Sequence, residues 1–74
     1  MSRLPAATPT DVIRILERVG FFLDHSTGSH RFYRHPGRPG IVTVPFHRRA
    51  LKRGTLLAIL KQAGLTRDQF LEFL

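Results

Sequence analysis

Seventy-four residues are enough for one domain and too few for a cleft between two, so any chemistry has to sit on an open surface. The absence of cysteine excludes disulfides, thiolate metal sites and thiol nucleophiles, and no apolar run reaches the ~20 residues of a membrane helix. Twelve Lys and Arg stand against five Asp and Glu, and a net charge of +7 points away from acidic or cationic partners and towards polyanions.

The elements follow in chain order. Met1 to Ala7 carries no periodicity and is expected to fray; the whole of 1–74 is expected to be one domain. Thr8-Pro9-Thr10-Asp11 reads as a helix start, with Thr8 as cap, Pro9 at the first helical position and Asp11 three residues after the cap. Val12, Ile13, Leu16 and Val19 then share one face, and Gly20 ends a helix predicted over 9–19. A strand is predicted over Phe21 to His25, a turn over Ser26 to Ser29, and a second strand over His30 to His35. Alternation puts His30, Phe32 and Arg34 on one face of that strand and Arg31, Tyr33 and His35 on the other. Breakers fill Pro36 to Gly40, and Ile41 to Val44 forms a β-branched third strand stopped by Pro45. A basic connection runs from Phe46 to Arg53. It leads to a helix that begins at Gly54 or Thr55, carries Leu56, Leu57, Ile59 and Leu60, and closes at Gly64. Thr66-Arg67-Asp68-Gln69 is a capping box for a short last helix bearing Phe70, Leu71, Phe73 and Leu74.

Short loops favour an antiparallel meander, and three strands in so small a protein call for both main helices on one face. The fold class is therefore α+β. The α-β-β-β-α order, with an extra helical turn at the end, is the topology of double-stranded-RNA-binding domains. A fold alone does not give a function.

Charge and residue chemistry narrow the options. No acid lies between Asp24 and Asp68, where Arg31, Arg34, Arg38, Arg48, Arg49, Lys52, Arg53, Lys61 and Arg67 are found. Arginines suit bidentate phosphate contacts, so nucleic acid is the expected partner, ahead of a merely solvated basic face. Thr55 is expected to cap the second helix just after Lys52, Arg53 and Gly54, which makes that helix start a phosphate site. RNA cleavage needs a base for the 2′-hydroxyl proton, an acid for the leaving 5′-oxygen and cations for the phosphoryl charge. His30 begins a strand beside a glycine turn and is suited to a proton role, with Arg34 as its same-face partner. On spacing alone the plainer reading, a strand histidine that packs or caps the turn, stands ahead. His47 is open to a second proton role, to phosphate binding or to no role. Phe21, Phe22, Phe32 and Tyr33 are core or base-stacking aromatics, Tyr33 tolerating a wet edge better than Phe32. Four histidines with no helical HxxxH pair and no central carboxylate do not make a metal site, so neither metal nor cofactor is expected.

Gly28-Ser29-His30-Arg31-Phe32-Tyr33-Arg34-His35-Pro36 resembles the second-strand signature of the HicA (YcfA-like) family of mRNA interferase toxins. Val42-Thr43-Val44-Pro45 with His47 resembles that family's third strand and its exit. Leu51, Gly54-Thr55-Leu56 and Ile59-Leu60-Lys61-Gln62-Ala63-Gly64-Leu65 resemble its second helix. The match runs in register from about Thr10 to Leu65. The resemblance implies an endoribonuclease toxin with a double-stranded-RNA-binding-like fold and His30, the histidine of Gly-Ser-His, as catalytic residue. It also implies a HicB-type antitoxin that covers the active face. RNA contacts are expected from Arg31, Arg34, Arg48, Arg49, Lys52, Arg53 and Thr55. The free protein is expected to be a cytoplasmic monomer that forms a hetero-oligomer with its antitoxin. The alternatives are a non-catalytic double-stranded-RNA-binding module and a domain whose basic face binds an acidic protein.

Overall fold

The computed structural model describes residues 4–74. The order is α1 (Pro9–Arg18), β1 (Phe22–Thr27), β2 (His30–His35), β3 (Arg38–Pro45), α2 (Arg53–Ala63) and α3 (Arg67–Phe73). The strands form one antiparallel sheet in the order β1-β2-β3. Both hairpins are tighter than their turn signals imply. β1 runs on to Thr27, leaving Gly28-Ser29 as the turn, and β3 starts at Arg38, leaving Pro36-Gly37. Two-residue connections match the right-handed twist of the paired strands, which lets the ladder extend into residues that read as loop.

Local chemistry sets the helix ends. Thr8 Oγ1 accepts the Asp11 amide at 3.2 Å, and the Asp11 carboxylate accepts the Thr8 amide at 2.9 Å. The same reciprocal box joins Thr66 and Gln69 at the start of α3. α2 has no such device: its N-cap is Lys52, which makes no side-chain cap bond. Thr55 therefore sits inside the first turn as the third helical residue and is not the cap. The helix starts earlier than its apolar pattern because nothing after Pro45 forbids helical geometry at Arg53 or Gly54. At its other end Gly64 takes the left-handed conformation, and Arg38 Nη1 donates to the Ala63 carbonyl at 2.8 Å. A cation at a helix C-terminus is favourable, so Arg38 is engaged in the fold and withdrawn from the basic field.

The core lies between the helices and one sheet face. Val12, Ile13, Ile15 and Leu16 of α1 meet Leu56, Ile59 and Leu60 of α2, Phe70 of α3, and Tyr33, Val42 and Val44 of the sheet. Tyr33 is buried, opposite Val42, while Phe32 lies on the open face. The expected preference of Tyr33 for the wet edge is thus reversed. Strand parity decides it: with His30 and Arg34 outward, residue 33 must point to the helices. Burial pushes the Tyr33 phenol pKa up, and the adjacent Arg31 guanidinium opposes that shift. Phe21 is buried and Phe22 exposed. The N-terminal segment is ordered further back than its lack of pattern implies. Ala7 is buried, its carbonyl accepts the Leu51 amide at 2.7 Å, and Leu4 packs on the core; Met1 to Arg3 lie outside the described residues. Arg18 stacks over the Phe73 ring at 5.3 Å, holding α3 against α1. Among the described residues no helix is long and apolar enough to cross a membrane.

Candidate nucleic-acid interface

His30 opens the central strand. Its partners across the sheet are Thr27 on β1 and Pro45 on β3, so it stands at one end of the open face with the tight Gly28-Ser29 turn beside it. It is exposed, and no side-chain hydrogen bond holds its ring among the described residues. A histidine that packed or capped the turn would show a contact of that kind. His35 does: Nε2 lies 3.0 Å from the Val19 carbonyl, Nδ1 accepts the Gly37 amide at 2.9 Å, and the ring meets Phe21 edge-on at 5.0 Å. His35 is the structural histidine of β2. A Cβ on Gly20, whose φ is +102°, would come within 2.7 Å of its Nε2.

The basic residues divide between three places. Arg31 points to the helix side, its guanidinium 3.6 Å from the centre of the Phe46 ring. Arg34 shares the open face with His30 but lies four residues on, about 13 Å along the strand. There it pairs with Asp24, Nε to Oδ1 at 3.3 Å. The same-face relation to His30 holds, but the two side chains do not converge. The third place is the connection after β3. The Phe46 amide donates to the Ser29 carbonyl, which ties the start of that connection to the turn preceding His30. From there Pro45, His47, Arg49, Lys52 and Thr55 line one open depression. Arg48 lines a neighbouring one with Thr8 and Thr10. His47 borders both depressions, and its Nδ1 accepts the Arg49 amide at 3.1 Å. Arg53 is exposed at the first position of α2. With an unfilled cap and no acid in its first turn, α2 presents free amides between Lys52 and Thr55. Arg49, Lys52 and Thr55 thus come together near the His30 end of the sheet, while Arg31 and Arg34 stand apart from them.

One group has no signal in the sequence reading. Asp24 Oδ2 lies 2.7 Å from His25 Nδ1, and the His25 ring stacks on Phe32 with centroids 4.4 Å apart and planes 9° from parallel. The hydrogen bond to His25, and to a smaller extent the Arg34 charge, hold the Asp24 carboxyl below its usual range. A bulge between Leu23 and His25 creates the cluster. Leu23 faces Tyr33 and His25 faces Phe32, so Asp24 is the extra residue and escapes strict alternation.

A three-stranded antiparallel sheet, with its two long helices on one face and its polar, histidine-bearing face open, defines an α+β domain of the double-stranded-RNA-binding type. The sequence profile described as the HicA toxin of bacterial toxin–antitoxin systems matches residues 9–65, from the first residue of α1 to just beyond α2. The chain belongs to the HicA family and is the toxin of a toxin–antitoxin pair. Among curated proteins there is no significant match.

Proposed function

We propose that this toxin is a metal-independent endoribonuclease that cleaves mRNA, with His30 in proton transfer. The observation that carries the reading is the placement of His30: exposed, free of structural hydrogen bonds, and at the end of the sheet where the basic connection is tied back. The 2′-hydroxyl of a bound nucleotide attacks the adjacent phosphorus, and His30 removes its proton. Charge building on the phosphoryl oxygens falls to the Arg49, Lys52 and Thr55 depression and to the free amides of α2, with Arg48 and Arg53 extending the track. Arg31 and Arg34 reach RNA only at the borders of the site. The partner is a HicB-type antitoxin, and an exposed site on a chain this small is neutralised by being covered. A +7 toxin associates faster with an acidic partner at low salt. The free toxin acts as a cytoplasmic monomer.

The test uses wild-type protein in EDTA with one labelled RNA and its all-deoxy counterpart. Cleavage of the RNA alone, leaving a 2′,3′-cyclic phosphate and a 5′-hydroxyl, is expected. Cleavage of the DNA strand, a 5′-phosphate product or a divalent-ion requirement overturns the mechanism. Tight duplex binding without cleavage under any condition favours the non-catalytic binding module.

A further inference from the structure

We propose that His25, held by Asp24, is the second proton-transfer group of the site, protonating the 5′-oxygen as it leaves. The inference rests on the endoribonuclease reading above and names the group that reading leaves open.

Register places the two histidines together. His25 faces Phe32 across the β1–β2 ladder and Thr27 faces His30, so His25 and His30 are diagonal neighbours on the same open face. Side chains so related start about 7–8 Å apart. Two imidazoles on that spacing can each approach, within about 2.6–3.2 Å, an oxygen on either side of one phosphorus. Arg34 and His47, the other polar groups considered for this role, are respectively tied to Asp24 and placed in the loop beyond β3.

The His25 ring is built into position as a surface histidine need not be. The Asp24 contact keeps a proton on Nδ1, so Nε2 is the working nitrogen. Stacking on Phe32 fixes the ring plane, and Arg34 holds the far oxygen of the carboxylate. The carboxylate itself needs explaining. Asp24 is the last acid before Asp68, and it stands on the face proposed to meet phosphate, where a negative charge opposes binding. A bulge gives up regular pairing to bring it there. A carboxylate beside a ring offsets the charge of that ring in its protonated form, which is the form an acid must carry. His30 has no acidic neighbour across the strand and takes the base role.

The step balances without water, metal or redox partner. The O2′–P bond forms and the P–O5′ bond breaks. One proton passes from O2′ to His30 and another from His25 Nε2 to O5′. Solvent then restores both rings.

The experiment compares wild type with His25→Ala, His30→Ala, Asp24→Ala and Asp24→Asn on two versions of one RNA. The first is unmodified; the second carries sulfur in place of the bridging 5′-oxygen at the cut site, so that the leaving group departs without a proton. Thermal melts establish that each variant is folded. His25→Ala should lose at least ~100-fold on unmodified RNA, the low end for a positioned acid, yet cleave the sulfur substrate within a few-fold of wild type. His30→Ala should lose on both. Asp24→Ala should lose part of the His25 effect on unmodified RNA only, with Asp24→Asn, which still accepts the Nδ1 proton, lying between it and wild type. The pH profile of kcat/KM, bell-shaped in wild type, should lose its alkaline limb in His25→Ala. The titratable and charged groups facing His25 are Asp24 on β1 and His30 and Arg34 on β2; α1 and α2 pack on the other side of the sheet. If His25→Ala cleaves unmodified RNA like wild type while His30→Ala does not, the inference falls and the ribonuclease reading stands. Equal loss on both substrates also overturns it. If wild type cleaves neither, the underlying reading fails.

Discussion

Replacing His35 by Ala separates the histidine that holds the fold from those proposed to do chemistry. The substitution removes three interactions. The Gly37 amide bond at 2.9 Å is exposed, and water can replace it, so it counts for little. The bond to the Val19 carbonyl at 3.0 Å is partly buried and contributes about 1 kcal/mol. The edge-on contact with Phe21, at a 5.0 Å centroid distance, contributes about another 1 kcal/mol. The sum is about 2 kcal/mol, a large share of the roughly 4–11 kcal/mol available to a chain of this length. At about 4–8 °C per kcal/mol for so small a domain, the melting temperature should fall by ~8–16 °C. Differential scanning calorimetry measures it, and RNA cleavage per folded molecule, assayed well below the new midpoint, should be unchanged. A fall of only a degree or two would show that the α1–β2 junction is held by other contacts. A normal melt with lost cleavage would move His35 into the site.

Further predictions follow from the helix ends and the charges. Lys52→Ser supplies the cap that α2 lacks, so stability should rise by about 1 kcal/mol while RNA affinity falls. A parallel change in both, measured by melting and filter binding, contradicts the placement of phosphate at that helix start. If about four phosphates of single-stranded RNA are gripped, log K should fall with log salt at a slope near ~−3, and Lys52→Ala with Arg53→Ala should flatten it. Asp11 is held below its usual pKa first by the Thr8 amide and then by the Thr8 hydroxyl. A depressed folded-state value gives stability that is present above the unfolded pKa and lost as pH falls through the folded one. The melting difference between wild type and Asp11→Ala should therefore be full near neutrality and shrink below about pH 4.

The sequence made the fold legible where local chemistry and periodicity agree. Thr8, Pro9 and Asp11 mark the start of α1, and Thr66 with Gln69 marks α3. The period of two in β2 sorts His30 and Arg34 from Tyr33 correctly. Pairing between strands is where it fell silent. The extension of β1 to Thr27 and of β3 back to Arg38 depends on tight turns meeting a matching ladder. The Asp24 bulge depends on register between two strands, which neither strand encodes alone. Hence the Asp24–His25 contact, between neighbours that simple alternation sends to opposite faces, had no sequence signal beyond the adjacency of an acid and a histidine in a predicted strand. The start of α2 was misplaced at Thr55 because a good capping residue was weighed above a lysine, and burial of Ala7 depends on a hydrogen bond from Leu51, far along the chain.

The central claim is that His30 does the chemistry, and single-turnover RNA cleavage in EDTA by wild type and His30→Ala tests it most directly. His30 is exposed on the open face, so its truncation leaves no core cavity and the variant should melt like wild type. RNA affinity should persist, since the cations remain, while the cleavage rate falls by at least ~100-fold. A His30→Ala protein that is folded, binds RNA and cleaves at the wild-type rate would contradict the account.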